Sequence, residues 1–484
     1  MTGRGRKAEV ELVELDGLDD PELDAGTSEP QDEAPAGSPW RRVRRAWPVA
    51  LLAVVVAGAY LVKGAREQAA AAARHELLAG QEAYVPDLGR EPEILWRVDA
   101  PGSWVSPVGA DDVVLYQPGE GPLDAVAVAV DRTTGAELWR TEHEGGTSVF
   151  CGLPRESFAP AAGTVACVEQ RFGPEGDTAV LMLQERDVRT GEVRSSRDVP
   201  SVGWGVAPWR SDLLRVDSTA SGMSLRLEDA QGATVWTLPL LDGAPVPDTW
   251  VSLEVWEDRA VVSAGDRALV VEHDGSIVVE VTTAAWGQAA ARSVPEGGQP
   301  GIFVRPLVEG GYVFYLGSGT YPERLVVDAD GQAIYEVTGE PQPIGLDDGS
   351  AGQLSAWNVD GGGLDLLHRS TGELVRHLDR WQYGAVYLLD GRAVLGGGGR
   401  LRAVDLTTGE DAWSEISGGD LVASDGVVVV VQERNVERSW LRALDLGSGR
   451  EVWRLDLVSP EAVAFAIDGA LYVHDDGQFS RLGR

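Results

Sequence analysis

Lysine is almost missing from this 484-residue chain: it occurs only at Lys7 and Lys63, while arginine is common. With the heavy use of Ala, Gly and Val, that choice of cation points to a GC-rich bacterial genome and carries no structural weight. Cysteine is as scarce, with Cys151 and Cys167 the only two. Two thiols make neither a disulfide scaffold nor a four-thiolate metal site, and they leave room for one bridge. The six histidines (His75, His143, His273, His368, His377, His474) are scattered and form no H-E-x-x-H helix. No G-x-S-x-G elbow is present; Ser221-Gly-Met-Ser224 is the nearest approach to one. Positive charge is short overall, and the formal net charge is −35. A surface so acidic repels phosphate backbones, which argues against nucleic acid as a partner. The plainer consequence is that acidity keeps a large domain soluble.

Glycine is plentiful, with 60 residues, and tryptophan is high at 16. Gly-rich turns with regularly placed Trp point to an all-β repeat protein rather than a helical one. The chain begins differently. Residues 1–45 read as a disordered, acidic tail with a basic end; residues 1–39 hold eleven acidic and three basic side chains. They have little to bury. Arg41, Arg42, Arg44 and Arg45 then precede an uncharged run over 46–62. Seventeen residues at about 1.5 Å each span about 25 Å, near the short end for a bilayer core. Trp47 and Tyr60 fall near its ends, where amphipathic rings favour the interface. Residues 46–63 therefore read as one transmembrane helix. The arginine excess before it keeps the N-terminus cytoplasmic and sends the C-terminal remainder of the chain across the cell membrane. A cleaved signal peptide is the rival reading, because Ala69–Ala73 offers small residues for cleavage. Lys63, Arg66 and Glu67 stand between the apolar run and that site and favour an uncleaved signal anchor. Residues 64–92 read as a helical stalk and linker, rich in helix formers and ending at Pro86 and Pro92.

From residue 93 short apolar runs alternate with turn signals, and a repeat emerges. Its clearest copies place Asp131, Gly135 and Trp139; Asp405, Gly409 and Trp413; and Asp445, Gly449 and Trp453 at identical spacings. Weaker copies centre on Gly191, Gly232, Gly275, Gly331 and Gly372, so that the glycines recur every 37 to 56 residues. A period near 40–45 residues with several short strands per unit is the mark of propeller blades. The Asp carboxylates can accept hydrogen bonds from the backbone of the adjoining turn. The Gly supplies its positive φ, and the Trp is large enough to fill the space between blades. Val279, Tyr335 and Arg376 stand where Trp is absent. The segment 93–98 looks like the outer strand missing from the three short strands of 461–484, so that strands from both chain ends close the ring.

The pattern A-x-D-x-x-T-G-x-x-x-W resembles the tryptophan-docking repeat of the PQQ-like β-propellers, over about residues 93–484. The resemblance implies four-stranded antiparallel blades, eight in number by the family's habit. Nine units can be counted here when the closing one is included. The family contains quinone-dependent dehydrogenases as well as non-enzymatic propellers, such as the lipoprotein of the outer-membrane barrel assembly machinery and sensor domains of kinases. The dehydrogenases use an adjacent Cys-Cys pair, a Ca²⁺ ion and a catalytic Asp. Cys151 and Cys167 are not adjacent, and no Asp matches a catalytic motif. Asp328-Ala-Asp330-Gly331 lacks the later ligands of an EF-hand loop and sits at a repeat turn. Neither catalytic residue, metal nor cofactor is therefore expected.

The reading that results is a membrane-tethered, extracytoplasmic propeller that binds or scaffolds an envelope protein. A sensor signalling to the tail, or an enzyme with a loop-built site, are the alternatives. Cys151 and Cys167 fall in consecutive strands that can pair as a hairpin, so a disulfide between them is expected outside the cytoplasm, with two unpaired buried thiols as the alternative. Recognition is expected in the insertions at 152–177 and 284–301, which are otherwise tolerated surface loops.

Overall fold

The computed structural model describes residues 72–484 apart from short internal segments, of which 152–162 and 283–301 are the longest. The tail 1–45 and the apolar run 46–63 lie outside the described residues, as do most of the two insertions. Among the described residues no helix is long and apolar enough to cross a membrane.

The described strands group into nine sheets, eight of four strands and one of five. We number the blades in chain order: blade 1 (108–140), blade 2 (147–199), blade 3 (206–242), blade 4 (251–282), blade 5 (302–337), blade 6 (340–379), blade 7 (386–415), blade 8 (420–457) and blade 9 (463–483). Blade 9 takes its fourth strand, Glu93–Asp99, from the start of the domain, paired antiparallel to Gln478–Gly483. The ring thus has nine blades, not the eight expected from the family's habit. The degenerate units keep their four strands, and in blades 4, 5 and 6 Val279, Tyr335 and Arg376 occupy the Trp position and meet the next blade.

The middle strands of a blade have neighbours on both faces, so their residues are buried almost without alternation. Val113–Tyr116, Arg259–Ala264 and most of Val428–Arg434 are examples. They read as continuous β-branched and apolar runs, the pattern of strands covered on both faces. The fourth strand meets solvent, and Glu451–Leu457 accordingly alternates. No single core exists. Apolar clusters lie between consecutive blades instead: one joins blades 3 and 4, another blades 4 and 5, another blades 9 and 1.

One strand departs from this scheme. Ile344–Asp347 comes after the first strand of blade 6 but pairs in parallel with Val386–Leu389 of blade 7, making the fifth strand of that sheet. It locks blade 6 to blade 7 through backbone hydrogen bonds.

The segment before the ring is helical over 72–78 and turns through 79–90. It lies against the propeller. Leu78 and Tyr84 are buried with Leu346, Tyr387 and Val429 between blades 7 and 8. Arg74 meets the carboxylates of Asp348 at 3.0 Å and Asp390 at 3.3 Å. The Gln81 side chain pairs with the Asp347 backbone at both its N–H and its carbonyl, each at 2.7 Å, as a neighbouring strand would. Tyr84 forms a parallel bridge with Ser424, and the Leu88 N–H donates to the Asp425 carboxylate.

Candidate functional site

The repeat residues are the first candidates: the Asp holds its own blade's turn, and the Gly and Trp form the junctions. In blade 1 the Asp131 carboxylate accepts the N–H of Thr133 and of Thr134 at 3.0 and 2.8 Å, and the Thr134 hydroxyl at 2.9 Å. Asp405 holds Thr407 and Thr408 in the same way, and Asp445 holds Ser448 by both backbone and hydroxyl. These bonds favour the charged form. The Thr134 backbone N–H above all lowers the Asp131 pKa, that of Thr408 lowers Asp405, and the Ser448 hydroxyl lowers Asp445. In blade 2, Asp187 is lowered to about 2 by the Thr190 N–H and then by Arg194.

The turn so held ends in a glycine of positive φ, and the previous blade's aromatic ring lies on it. A Cβ at Gly449 would stand 2.7 Å from the Trp413 ring. The Trp413 indole N–H donates to the Leu446 carbonyl at 2.8 Å. Trp139 covers Gly191 and donates to Val188, and Trp96 covers Gly135 and donates to Arg132. Val279, Tyr335 and Arg376 cover Gly331, Gly372 and Gly409 in turn. Glycine is required here twice over, for its φ and for the absence of a side chain under the ring.

Trp453 has no such turn to meet. Blade 9 is closed by strands from the two chain ends, so no turn joins its third strand to its fourth. The Trp453 indole donates to the carbonyl of Leu88 at 2.7 Å, and Val85 and Leu88 pack beside it. The segment 72–90 stands in for the missing turn. Sequence reasoning missed this, and nothing in Gln81 or Leu88 announces it. Trp96 could have been found, because Leu95-Trp96-Arg97 repeats Leu138-Trp139-Arg140.

Residues 397–483, two docking units and the ring closure, match the family model described as outer membrane protein assembly factor BamB. The blades within 397–483 are similar to that family of PQQ-like β-propellers. No curated protein matches the propeller's sequence. Among solved structures, BamB from Moraxella catarrhalis is 13% identical, covers 81% of this chain and 100% of its own, and gives a TM-score of 0.40. A quinohemoprotein alcohol dehydrogenase from Pseudomonas putida HK5 is 14% identical over 81% of this chain and 73% of its own, with a TM-score of 0.36. The computationally designed protein Ika8 is 13% identical over 84% and 99%, also at 0.36. Likenesses of this size say nothing of substrate or partner.

Among the described residues the remaining reactive groups do not converge. Cys151 and Cys167 face one another across Thr147–Cys151 and Thr164–Phe172 and are joined by a disulfide, at a sequence separation of 16. The adjacent cysteine pair of the quinone dehydrogenases thus has no counterpart, and these residues do not fit that cofactor. Among the described residues no group of three or more His, Cys, Asp or Glu side chains is placed to hold a metal ion. Asp328 accepts the N–H of Asp330 and of Gln332, as a turn residue does. His474 donates to the Ala100 carbonyl, His273 meets Asp212, and His377 lies between Asp365 and Asp379. The Asp365 carboxylate is the main cause that raises the His377 pKa. His143 is outside the described residues.

Proposed function

We propose that this PQQ-like propeller is a membrane-tethered, extracytoplasmic module that binds or scaffolds other envelope proteins and is not an enzyme. The observation that carries the reading is the use made of the repeat. Asp131, Asp405 and Asp445 hold turns, and Gly135, Gly409 and Gly449 take the neighbouring side chain. Trp139, Trp413 and Trp453 cover the next junction. The regular residues therefore build a rigid ring, and recognition falls to the connections it displays. The match of the C-terminal blades to the BamB model supports a protein partner. The disulfide between Cys151 and Cys167 supports a compartment outside the cytoplasm, where such a bond persists. The arginines at 41–45 support the cytoplasmic placement of the N-terminus.

Crosslinking in intact membranes and subsequent capture of the full chain test the reading. An envelope protein captured in stable stoichiometry is expected. Capture of a cytoplasmic partner through the tail would favour a sensor, and substrate turnover by the purified chain alone would overturn the non-enzymatic reading. Protease added to spheroplasts should digest the propeller and spare an epitope at residue 2.

A further inference from the structure

The most exposed large apolar side chains among the described residues are Ile416, Val436 and Val458, at 96%, 94% and 77%. They are not scattered. Ile416 lies in the connection that enters blade 8, Val436 in the turn between its second and third strands, and Val458 in the connection that leaves it. Antiparallel strands alternate direction, so these three connections lie at one end of the blade. The turn between the first and second strands, 425–427, lies at the other. That other end is where 72–90 runs, through Tyr84 on Ser424 and Leu88 on Asp425. The three apolar residues are thus left uncovered by the chain's own segment.

Register brings them together. Ser439 pairs with Leu457, so Val458 lies beside the turn that carries Val436. Ile416 stands between Glu415, which meets Arg442 of blade 8, and Ser417, which donates to Glu433 of the same blade.

Val436 and Val458 are held on fixed backbone. The Asn435 side chain accepts the N–H of Glu437 and of Arg438 at 2.9 and 2.8 Å, closing the turn under Val436. The Asp475 carboxylate accepts the N–H of Val458 and of Ser459, each at 2.7 Å. An apolar side chain that is fully hydrated and rigidly presented costs little entropy to bury against a partner. Around it, the exposed carboxylates of Glu437, Glu461 and Asp476 have no ion-pair partner among the described residues, against one such cation, Arg438. The exposed charges Asp420 and Arg434, and Arg454 and Asp456, pair with each other.

We infer that this end of blade 8 is a docking surface for a polypeptide segment that carries apolar side chains flanked by Arg or Lys. The inference rests on the protein-binding reading above and assigns its contact surface. The apolar centre supplies the burial, and the acidic rim selects the sign of the partner's flanking charge. The same rim disfavours an anionic lipid surface.

Site-specific photocrosslinking of the full chain, in cells that produce it, is the test. A photoreactive phenylalanine derivative is placed at 416, 436 or 458, at sites within 152–177 and 284–301, and at the control positions 235 and 374, which are apolar and exposed on outer strands. The expected result is one protein crosslinked from all three positions and from neither control, through a peptide with apolar residues and flanking Arg or Lys. Val436→Lys should then lower the yield from 416 and 458 about tenfold, and Val436→Glu by less, because only the former repels a basic flank. Both variants should keep the thermal midpoint of the parent chain, since the side chain touches almost nothing.

Crosslinks to lipid, a peptide with acidic flanks, or a larger loss with Glu than with Lys would overturn the assignment. A partner crosslinked only from 152–177 or 284–301 would overturn it while leaving the protein-binding reading intact. No adduct from any position on the chain would sink both.

Discussion

At the junction of blades 7 and 8, the Trp413 ring covers Gly449 and its indole donates to the Leu446 carbonyl, inside an apolar cluster that also takes in Leu78 and Tyr84. At the junction of blades 2 and 3, Arg197 takes that place. It donates to the Asp229 carbonyl and pairs with Glu228, which Arg226 meets at 2.7 Å and Arg215 at 3.6 Å. No apolar cluster among the described residues bridges blades 2 and 3, whereas every other consecutive pair shares one. The two junctions deliver a side chain to the same turn of the next blade. Arg197 stands six residues after Gly191, with Ser195 at the position that Trp413 holds after Gly409, so what the ring requires is a side chain that reaches the next turn, and both its place in the strand and its chemistry can change.

Substitutions can tell the apolar junction from the ionic one. Trp139→Ala, at a buried apolar junction, should lower stability by about 3–5 kcal/mol in chemical denaturation, the cost of emptying a large aromatic site. An effect as small as that of a surface change would mean that the ring is not held by docking. Next comes the glycine under the ring. Gly391 and Gly449 have nearly the same φ, +70° and +69°, but a Cβ meets nothing within 4 Å at Gly391 and the Trp413 ring at Gly449. Gly391→Ala should cost only the backbone term, about 1–2 kcal/mol. Gly449→Ala should cost that plus about 1–3 kcal/mol for displacing the ring. Equal losses would remove the steric half of the argument.

Arg74→Ala tests the closure. It takes the cation from Asp348, whose side chain is fully buried, and should cost about 1–3 kcal/mol. Local hydrogen exchange should speed up first at Trp453 and its neighbours if 72–90 serves as the missing turn. At the ionic junction, Arg197→Ala should cost about 1–2 kcal/mol, because Arg226 and Arg215 still neutralise Glu228 and solvent screens the pair. Strong salt should speed exchange in Asp212–Thr219 and Gly222–Glu228 and leave Val428–Arg434 unchanged.

The smallest effect concerns acid. Asp187 is held at about 2, below the ordinary 3.8, by the Thr190 N–H and Arg194. A lowered folded pKa means that its stabilisation is complete above about pH 4 and fades as pH falls towards 2. Asp187→Asn should therefore narrow the acid loss of stability across that window and leave the neutral region less stable. An unchanged acid profile would show that the turn carboxylate does not contribute.

Much of the architecture is legible in the sequence because a repeat multiplies weak signals. Asp131, Gly135 and Trp139 alone are a motif of little weight, but their return at 405–413 and 445–453 marks a fixed unit. The outer strand at 93–98 is readable for a similar reason, since the closing unit lacks a fourth strand. Blade number went astray where family habit was set against the count in the chain.

The period, the turns and the identity of the docking position are written in the chain itself, because each depends on residues close together along it. A glycine of positive φ, a carboxylate four residues before it and a β-branched run are local matters of steric fit and hydrogen bonding. Packing of the sheets was needed to establish that Arg197 replaces Trp between blades 2 and 3, that Ile344–Asp347 joins the sheet of blade 7, and that the Leu88 carbonyl receives the Trp453 indole. Packing also sets Ile416, Val436 and Val458 at one end of blade 8. Each of these joins groups tens or hundreds of residues apart, and their meeting depends on how the sheets pack, which no local pattern encodes.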